Sequence, residues 1–334
     1  MGTPVTVIGA GSFGTSLALV CAQQSDVTLW ARDPQMAEAI ERDRHNPRYL
    51  SDIPLPASIR ATADLAEALA DAELVIFAVP SHSLRGVVGD AAPHLSHEAI
   101  LVTAVKGIEY ETGMLMHQVI EDVLHDDHHP RVVALSGPSF AAEIARKLPT
   151  VVTLACREET FAISVQASLS SEWFRCYSNR DITGVEVGGA LKNVIALAVG
   201  IGEGQQMGQN SRAAMITRGL AEITRLGVRL GAEAPTFLGL SGMGDLLLTC
   251  TGDLSRNRRV GVELGRGRPL DEVVAEVGQV VEGVATTRAA CRLAERLKVE
   301  LPIAVMVRKV IDGELSPAEA GEALMTRQLR SEHD

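Results

Sequence analysis

Aromatic residues are nearly missing from this chain. Phe, Trp and Tyr make up 3% of its 334 residues, so its core must be built from Ala, Val, Leu and Ile. Basic charge is short as well: 31 Lys and Arg face 42 Asp and Glu, a formal net charge of −11. That balance argues against nucleic acid or an acidic membrane surface as the main partner. It leaves room for a small anion held by a local cluster of cations and N–H groups. The five cysteines (Cys21, Cys156, Cys176, Cys250, Cys291) include no CxxC pair. A zinc site or a disulfide framework is therefore not expected, no other metal site is expected, and reduced thiols in a cytoplasm fit better. No uncharged apolar run reaches the roughly 18 residues of a membrane span, so stable membrane insertion is not expected. The N-terminus runs straight into the strand-like VTVIGAG without a basic, cleavable leader. Gly2 and Thr6 match a loose myristoylation pattern, but Val5 and Val7 read as the first core strand.

Alternation dominates the first half. VTVIG (Val5–Gly9), VTLW (Val27–Trp30), LVIFAV (Leu74–Val79), ILVTAV (Ile100–Val105), VVAL (Val132–Leu135) and VVTLA (Val151–Ala155) are short apolar runs. Helical patterns such as Thr15–Gln23, Leu65–Leu69 and Met114–Leu124 lie between them. Strands apolar throughout and separated by helices predict a parallel sheet covered on both faces. The pattern changes near Tyr177–Thr183. Beyond it, ALKNVIALAVGIG, SRAAMITRGLAEITRLGVRLG, LDEVVAEV, TTRAACRLAERLKV and IAVMVRKVIDG read as helices at a 3.6-residue period, with Gly231 and Gly313 closing two of them. The fold class is α/β: an N-terminal Rossmann-type doubly wound sheet over residues 1–179, then an all-α C-terminal domain over 180–334. The Pro-containing segment Asn46–Ala57 reads as a lid or as a plain connector.

The turn after the first strand is Gly9-Ala10-Gly11-Ser12-Phe13-Gly14. A GxGxxG that follows a strand and opens a helix fits a dinucleotide. The first Gly allows the tight turn, the second lets the pyrophosphate reach the backbone, and the third lets helix and strand pack closely. The helix N-terminus attracts the phosphates. After the second strand come Arg32 and Asp33. An Arg there suits a 2′-phosphate and an acid suits a 2′-hydroxyl; Arg32 comes first, so NADP is expected to be accepted, with NAD open. Asp33-Pro34 is also a good helix start. AVPSHSL follows a strand end and should lie beside the cofactor, with His82 read as a helix-start residue. Lys106 sits just after another strand, where a cation can hold a substrate oxygen or phosphate. Gly137 and Ser139 lie at an expected helix start, where free N–H groups can hold an anion.

The second half places Lys192 in the apolar stretch GALKNVIALAVG. Oxidising a secondary alcohol needs a group that takes the hydroxyl proton, and the reverse reaction needs a donor, both with a pKa near the working pH. A lysine in an apolar setting has a depressed pKa and fits that need; a lysine snorkelling to the surface fits the same stretch. Asp245 precedes an apolar run with Thr249 at i+4, and can orient Lys192 or a substrate hydroxyl. Arg256, in LSRNRR with Ser255 and Asn257, can hold a phosphate by a bidentate contact. By themselves these residues fit a helix cap and a basic surface loop equally well. Asn210 and Arg212 read as loop and helix cap.

Taken in order, GAGSFG, AVPSH, VKG, SGPSFA, GGALKN, GDLLLTCT with SRN, and VVEG closely resemble NAD(P)-dependent sn-glycerol-3-phosphate dehydrogenases of the bacterial type, from about Val5 to Glu282. The resemblance implies an enzyme interconverting dihydroxyacetone phosphate and sn-glycerol 3-phosphate with NADP or NAD, for glycerophospholipid synthesis. It implies Lys192 as proton donor and acceptor, and Lys106, Gly137, Ser139, Asp245, Ser255, Arg256 and Asn257 beside it at the substrate. It implies Ser12, Phe13, Arg32, Lys106, Ala141, Arg256, Val280 and Glu282 at the cofactor. Phe13 stands where many members carry Tyr or Trp, which keeps packing but loses a hydroxyl. Arg32 stands where some carry His. Apolar helix faces in the second half would suit a homodimer.

Two other readings remain. A β-hydroxyacid dehydrogenase also uses a lysine in Gly-x-x-x-Lys, which Gly188 and Lys192 satisfy, but it leaves GDLLLTCT and SRN without a role. A non-catalytic NAD(P)-binding regulator needs the glycine turn and no second cluster.

Overall fold

The computed structural model describes residues 3–124, 131–329 and 331–332; Gly2, the myristoylation candidate, lies outside them. Eight strands form one sheet: β1 (Val5–Ile8), β2 (Val27–Trp30), β3 (Ile59–Thr62), β4 (Leu74–Phe77), β5 (Ile100–Thr103), β6 (Val132–Ser136), β7 (Thr150–Ala155) and β8 (Phe174–Asn179). Their order is β3-β2-β1-β4-β5-β6-β7-β8. β1 and β4 are buried at every residue, as strands covered on both faces must be. The covers are α1 (Ser12–Cys21), α2 (Pro34–Asp43), α3 (Leu65–Leu69), α4 (Leu84–Ala91), α5 (Met116–Val123), α6 (Ala141–Ala145) and α7 (Glu159–Leu169). One apolar cluster lies on each side of the sheet.

The sheet departs from the fully parallel expectation at one pair: β7 runs antiparallel to β6, with Ala134 opposite Ala155. Between them lies only the five-residue α6, too short to carry the chain back across the sheet as a parallel crossover requires. β3 and β8 are also additions to the strands expected. Both lie at sheet edges and carry exposed or half-exposed positions (IRAT, FRCYSN), so neither reads as a continuous apolar run.

After β8 the described chain is helical: α8 (Ile182–Gly204), α9 (Gly208–Arg229), α10 (Asp245–Thr251), α11 (Arg256–Gly265), α12 (Leu270–Val277), α13 (Glu282–Leu297), α14 (Pro302–Ile311) and α15 (Pro317–Met325). Gly231 and Gly313 end their helices with φ of 93° and 72°. Asn210 and Arg212 fall inside α9 rather than in a loop, because that helix begins at Gly208. α8 is the axis of this half. By length and composition it could cross a membrane, but its apolar window is wholly buried inside the protein. Glycines let α11 lie against α8 backbone to backbone: a Cβ on Gly200 would fall 2.2 Å from Arg258 O, and one on Gly261 would fall 2.4 Å from Leu197 O.

Candidate active site

The glycine turn has the geometry its spacing asks for. Gly9 has φ 118°, and a Cβ there would meet Ala78 O at 2.7 Å. A Cβ on Gly14 would fall 1.8 Å from Gly9 O, so only glycine lets α1 start this close to β1. Above Gly11 there is open space, and this N-cap residue offers no side chain to the first-turn N–H groups of α1. A pyrophosphate fits such a cradle. Ser12 opens α1, and the Phe13 ring has Lys106 Nζ 5.9 Å above its centroid. Asp33 caps α2 by accepting from Gln35 N at 3.0 Å. Arg32 is exposed and makes no hydrogen bond or ion pair with the described residues. His82 sits in the short 3₁₀ turn Ser81–Ser83.

Lys192 lies in the middle of α8 and is 8% exposed. Its partner is Asp245, 1% exposed, whose Oδ1 accepts from Lys192 Nζ. Asp245 Oδ2 accepts from Lys106 Nζ at 2.7 Å. Two features of backbone shape bring them together. A single π turn, Leu240–Gly244, runs directly into α10 and presents Asp245 at its first residue; such turns recur at functional sites. Gly188 lets that turn touch α8, since a Cβ there would fall 2.5 Å from Ser241 O. One residue on, Gly189 lets the end of β6 approach, with Ser136 Oγ 2.5 Å from its would-be Cβ.

Two ammonium groups on one buried carboxylate leave a surplus positive charge. Burial pulls the Lys192 pKa down from 10.5 to about 7; Asp245 opposes the shift and Lys106 adds to it. Desolvation and a neighbouring cation both disfavour the charged lysine. Snorkelling is ruled out for this side chain, which is enclosed and paired. Thr249, one turn on, donates to Asp245 O at 2.6 Å and lies 3.4 Å from Oδ1.

Lys106 also donates to Gly137 O at 3.2 Å, and Ser139 Oγ donates to the same oxygen at 2.8 Å. Gly137 and Ser139 lie in the turn just ahead of α6, which starts at Ala141 with Phe140 as its N-cap, and not in its first turn as expected. Ser255 caps α11 by accepting from Arg258 N at 3.2 Å. Asn257 Nδ2 donates to Asn193 Oδ1 at 2.9 Å, and its Oδ1 accepts from Gly283 N at 3.0 Å, tying α8, α11 and α13. Arg256 donates to Gln279 Oε1 at 2.9 Å and has Glu282 and Tyr49 as charged or ionisable neighbours. Val280 is 40% exposed. Glu282 accepts from Ser81 N at 3.0 Å and from Ser81 Oγ, joining the helical half to the end of β4.

The sequence reading passed over Asn46, Tyr49, Ser81 and Asn193 as site residues. Asn46-Pro47, three residues past the end of α2, and the serine of AVPSHSL are weak local signals; only the fold shows what they touch.

With this geometry in hand, the relatives become informative. Residues 4–162 match the family model for the N-terminus of NAD-dependent glycerol-3-phosphate dehydrogenase, and residues 181–322 match that for its C-terminus. The chain belongs to the NAD-dependent glycerol-3-phosphate dehydrogenase family. It is therefore an oxidoreductase that takes a nicotinamide dinucleotide, which sets aside the regulator and the β-hydroxyacid readings. It is 51% identical over 328 residues to glycerol-3-phosphate dehydrogenase [NAD(P)+] of Myxococcus xanthus, covering 98% of each chain. It is 49% identical over 331 residues to the Syntrophotalea carbinolica protein of the same name, covering 99% of each. The crystal structure of glycerol-3-phosphate dehydrogenase from Coxiella burnetii superposes with a TM-score of 0.92 at 36% identity, over 98% of this chain and 99% of that one.

Proposed function

We propose that the chain interconverts dihydroxyacetone phosphate and sn-glycerol 3-phosphate, with Lys192 giving and taking the proton at the C2 oxygen. The observation that carries this reading is the buried Lys192–Asp245–Lys106 cluster, which has a surplus cation and a lysine whose pKa is pulled to about 7. A group with that pKa is part protonated and part neutral near neutrality, so it can act in both directions. Bound NAD(P)H supplies the hydride. In the reduction, protonated Lys192 donates to the carbonyl oxygen as negative charge develops there, and Asp245 holds the ammonium in place. Lys106 offers a second positive group to the same oxygen or to the phosphate. Arg256, at the first position of α11, and Asn257 beside it bind the phosphate end, and Gly137, Ser139 and Ser255 complete that wall.

The dinucleotide lies on Gly9, Gly11 and Gly14 with Ser12, Phe13, Arg32, Ala141, Val280 and Glu282 around it. Asp33 is occupied by capping α2 while Arg32 is uncommitted, which supports acceptance of NADP as well as NAD. We place the boundary between the cofactor domain, 1–179, and the substrate domain, 180–334, in the turn between β8 and α8. Five buried cysteines with no disulfide among the described residues suit a reducing cytoplasm, where the product feeds glycerophospholipid synthesis. Exposed Leu238, Leu247 and Val228 on the helical half support a homodimer.

A single assay tests the reading. Purified protein is mixed with dihydroxyacetone phosphate and NADPH or NADH, and loss of nicotinamide absorbance is followed. Turnover is expected with either cofactor and faster with NADPH. Folded protein that turns over neither would remove the proposal; a clear preference for NADH would remove Arg32 from its cofactor role.

A further inference from the structure

Asn46 is completely buried, and every polar position of its side chain is used. Nδ2 donates to Ala10 O and to Thr15 Oγ1, both at 2.9 Å. Oδ1 accepts from Arg48 N at 3.2 Å and Tyr49 N at 3.0 Å. Two separate parts of the chain therefore meet on one amide: the glycine turn with α1, and the strap that follows α2.

The bond to Ala10 O has a directional consequence. The Ala10–Gly11 peptide is planar and trans, so its carbonyl and its N–H point opposite ways. Holding Ala10 O toward Asn46 aims the Gly11 N–H away from it. Gly11 is the residue with open space above it.

The strap is closed by its own hydrogen bonds. Leu55 N donates to Arg44 O at 2.8 Å, and His45 bridges Pro54, which together form its neck. Arg44 also reaches Ile59 O at 2.6 Å. Beyond Asn46, Leu50 holds φ 57°, a left-handed conformation that non-glycine residues keep only where the surroundings over-determine it. Ile53 N closes the turn on Leu50 O at 3.0 Å. Arg48 stacks on the Tyr49 ring, 5.5 Å from its centroid, and the Tyr49 phenol has Arg256 as an electrostatic neighbour.

We propose that Asn46 is a positioning residue for the dinucleotide, fixing the Gly11 N–H through the Ala10 carbonyl and the Tyr49 strap through its own oxygen. Aspartate cannot do this, because it has no N–H for Ala10 O or Thr15 Oγ1. Alanine leaves two backbone N–H groups and a carbonyl without their buried partner. The proposal rests on the dinucleotide lying on the glycine turn, as the proposed function has it.

The test is titration of NADPH and NADH into purified full-length variants, read by nicotinamide fluorescence, with the melting temperature of each cofactor-free variant measured alongside. Asn46→Ala should weaken cofactor binding about tenfold, the loss expected for a broken buried hydrogen-bond set. At saturating cofactor its kcat should stay within about threefold, so the defect is in KM. Thr15→Val removes one acceptor of the Asn46 amide and should weaken binding in the same direction, whereas Thr15→Ser keeps a hydroxyl and should bind as the unaltered protein does. If folded Asn46→Ala binds with unchanged Kd, Asn46 is only structural and the proposal is overturned. Should that variant not fold, the Thr15 pair decides, and equal affinity in Thr15→Val and Thr15→Ser overturns it. Gly11→Val separates this from the parent reading. Its side chain enters open space, so the protein folds and loses cofactor if the dinucleotide lies there. Unchanged binding in Gly11→Val would remove the dinucleotide from the glycine turn whatever Asn46 does.

Discussion

The first turn of α8 and its middle both bury charge, and they do so in opposite ways. At the start, Asp181 accepts from Gly184 N and Glu233 N, both at 2.8 Å, and from Thr236 Oγ1 at 2.6 Å. One turn on, Glu186 accepts from His117 N at 2.9 Å and faces Nδ1 of the same histidine at 2.6 Å. Backbone and hydroxyl donors satisfy Asp181 completely and leave nothing for a ligand. In the middle, Lys192, Asp245 and Lys106 pair mainly with one another, with Gly137 O and Thr249 Oγ1 as their neutral partners, and one positive charge is left over. A buried charge met by neutral, fixed donors is scaffolding. A buried charge met by other charges, with a surplus, is poised for an anion and a proton.

The largest effect that would break this comparison is at Lys192. Lys192→Ala should lower kcat by about 10²–10⁴-fold, the range general acid–base groups contribute, while the cofactor Kd changes little. Retention of most of the kcat would make Lys192 scaffolding like Asp181. Next is Asp181→Ala. It should cost about 2–3 kcal/mol of stability, because three donors, two of them in buried bonds, lose their acceptor, and its kcat should remain near that of the unaltered protein. A melting curve and a turnover assay on the same sample check both halves; a large fall in kcat without loss of stability would reverse the assignment.

Arg256→Ala should raise KM for the phosphate substrate by roughly 10-fold or more, as loss of a charge-assisted contact does. An unchanged KM would take Arg256 out of the phosphate wall. The smallest and sharpest effect is in pH dependence. With Lys192 as the proposed proton donor, reduction needs it protonated, so kcat in that direction should fall as pH rises through a value near 7. Lys106 holds that pKa down and Asp245 holds it up. The falling limb should therefore move to higher pH in Lys106→Met and to lower pH in Asp245→Asn. Profiles that do not move, or move together, would show that the three groups are not coupled.

The two halves of the chain were unequally legible. The glycine turn announced itself because GxGxxG after an apolar strand has few other uses, and the helices after residue 180 announced themselves by period. β3 and β8 did not, because edge strands need not be apolar on both faces. The reversal of β7 was hidden in the length of α6, which no periodicity reports. At the site, Lys192 was visible as a charge out of place, and Asp245 with Thr249 at i+4 was visible as a polar pair before an apolar run. Their meeting was not visible locally, since 53 positions separate the lysine from the aspartate; only the ordered set of family motifs joined them. Asn46 was invisible for the same reason: its partners lie 31 and 36 positions away.

The backbone contact between α8 and α11 has one more implication. Lys192 and Asn193 ride on one of these helices, and Arg256 and Asn257 on the other. With Gly200 and Gly261 pressed against the opposite backbone, neither helix can slide or lean without a clash. The span between the proposed proton donor and the proposed phosphate grip is thus gauged by glycines that carry no side chain, and the calibre of the site is set by that spacing as much as by the side chains lining it.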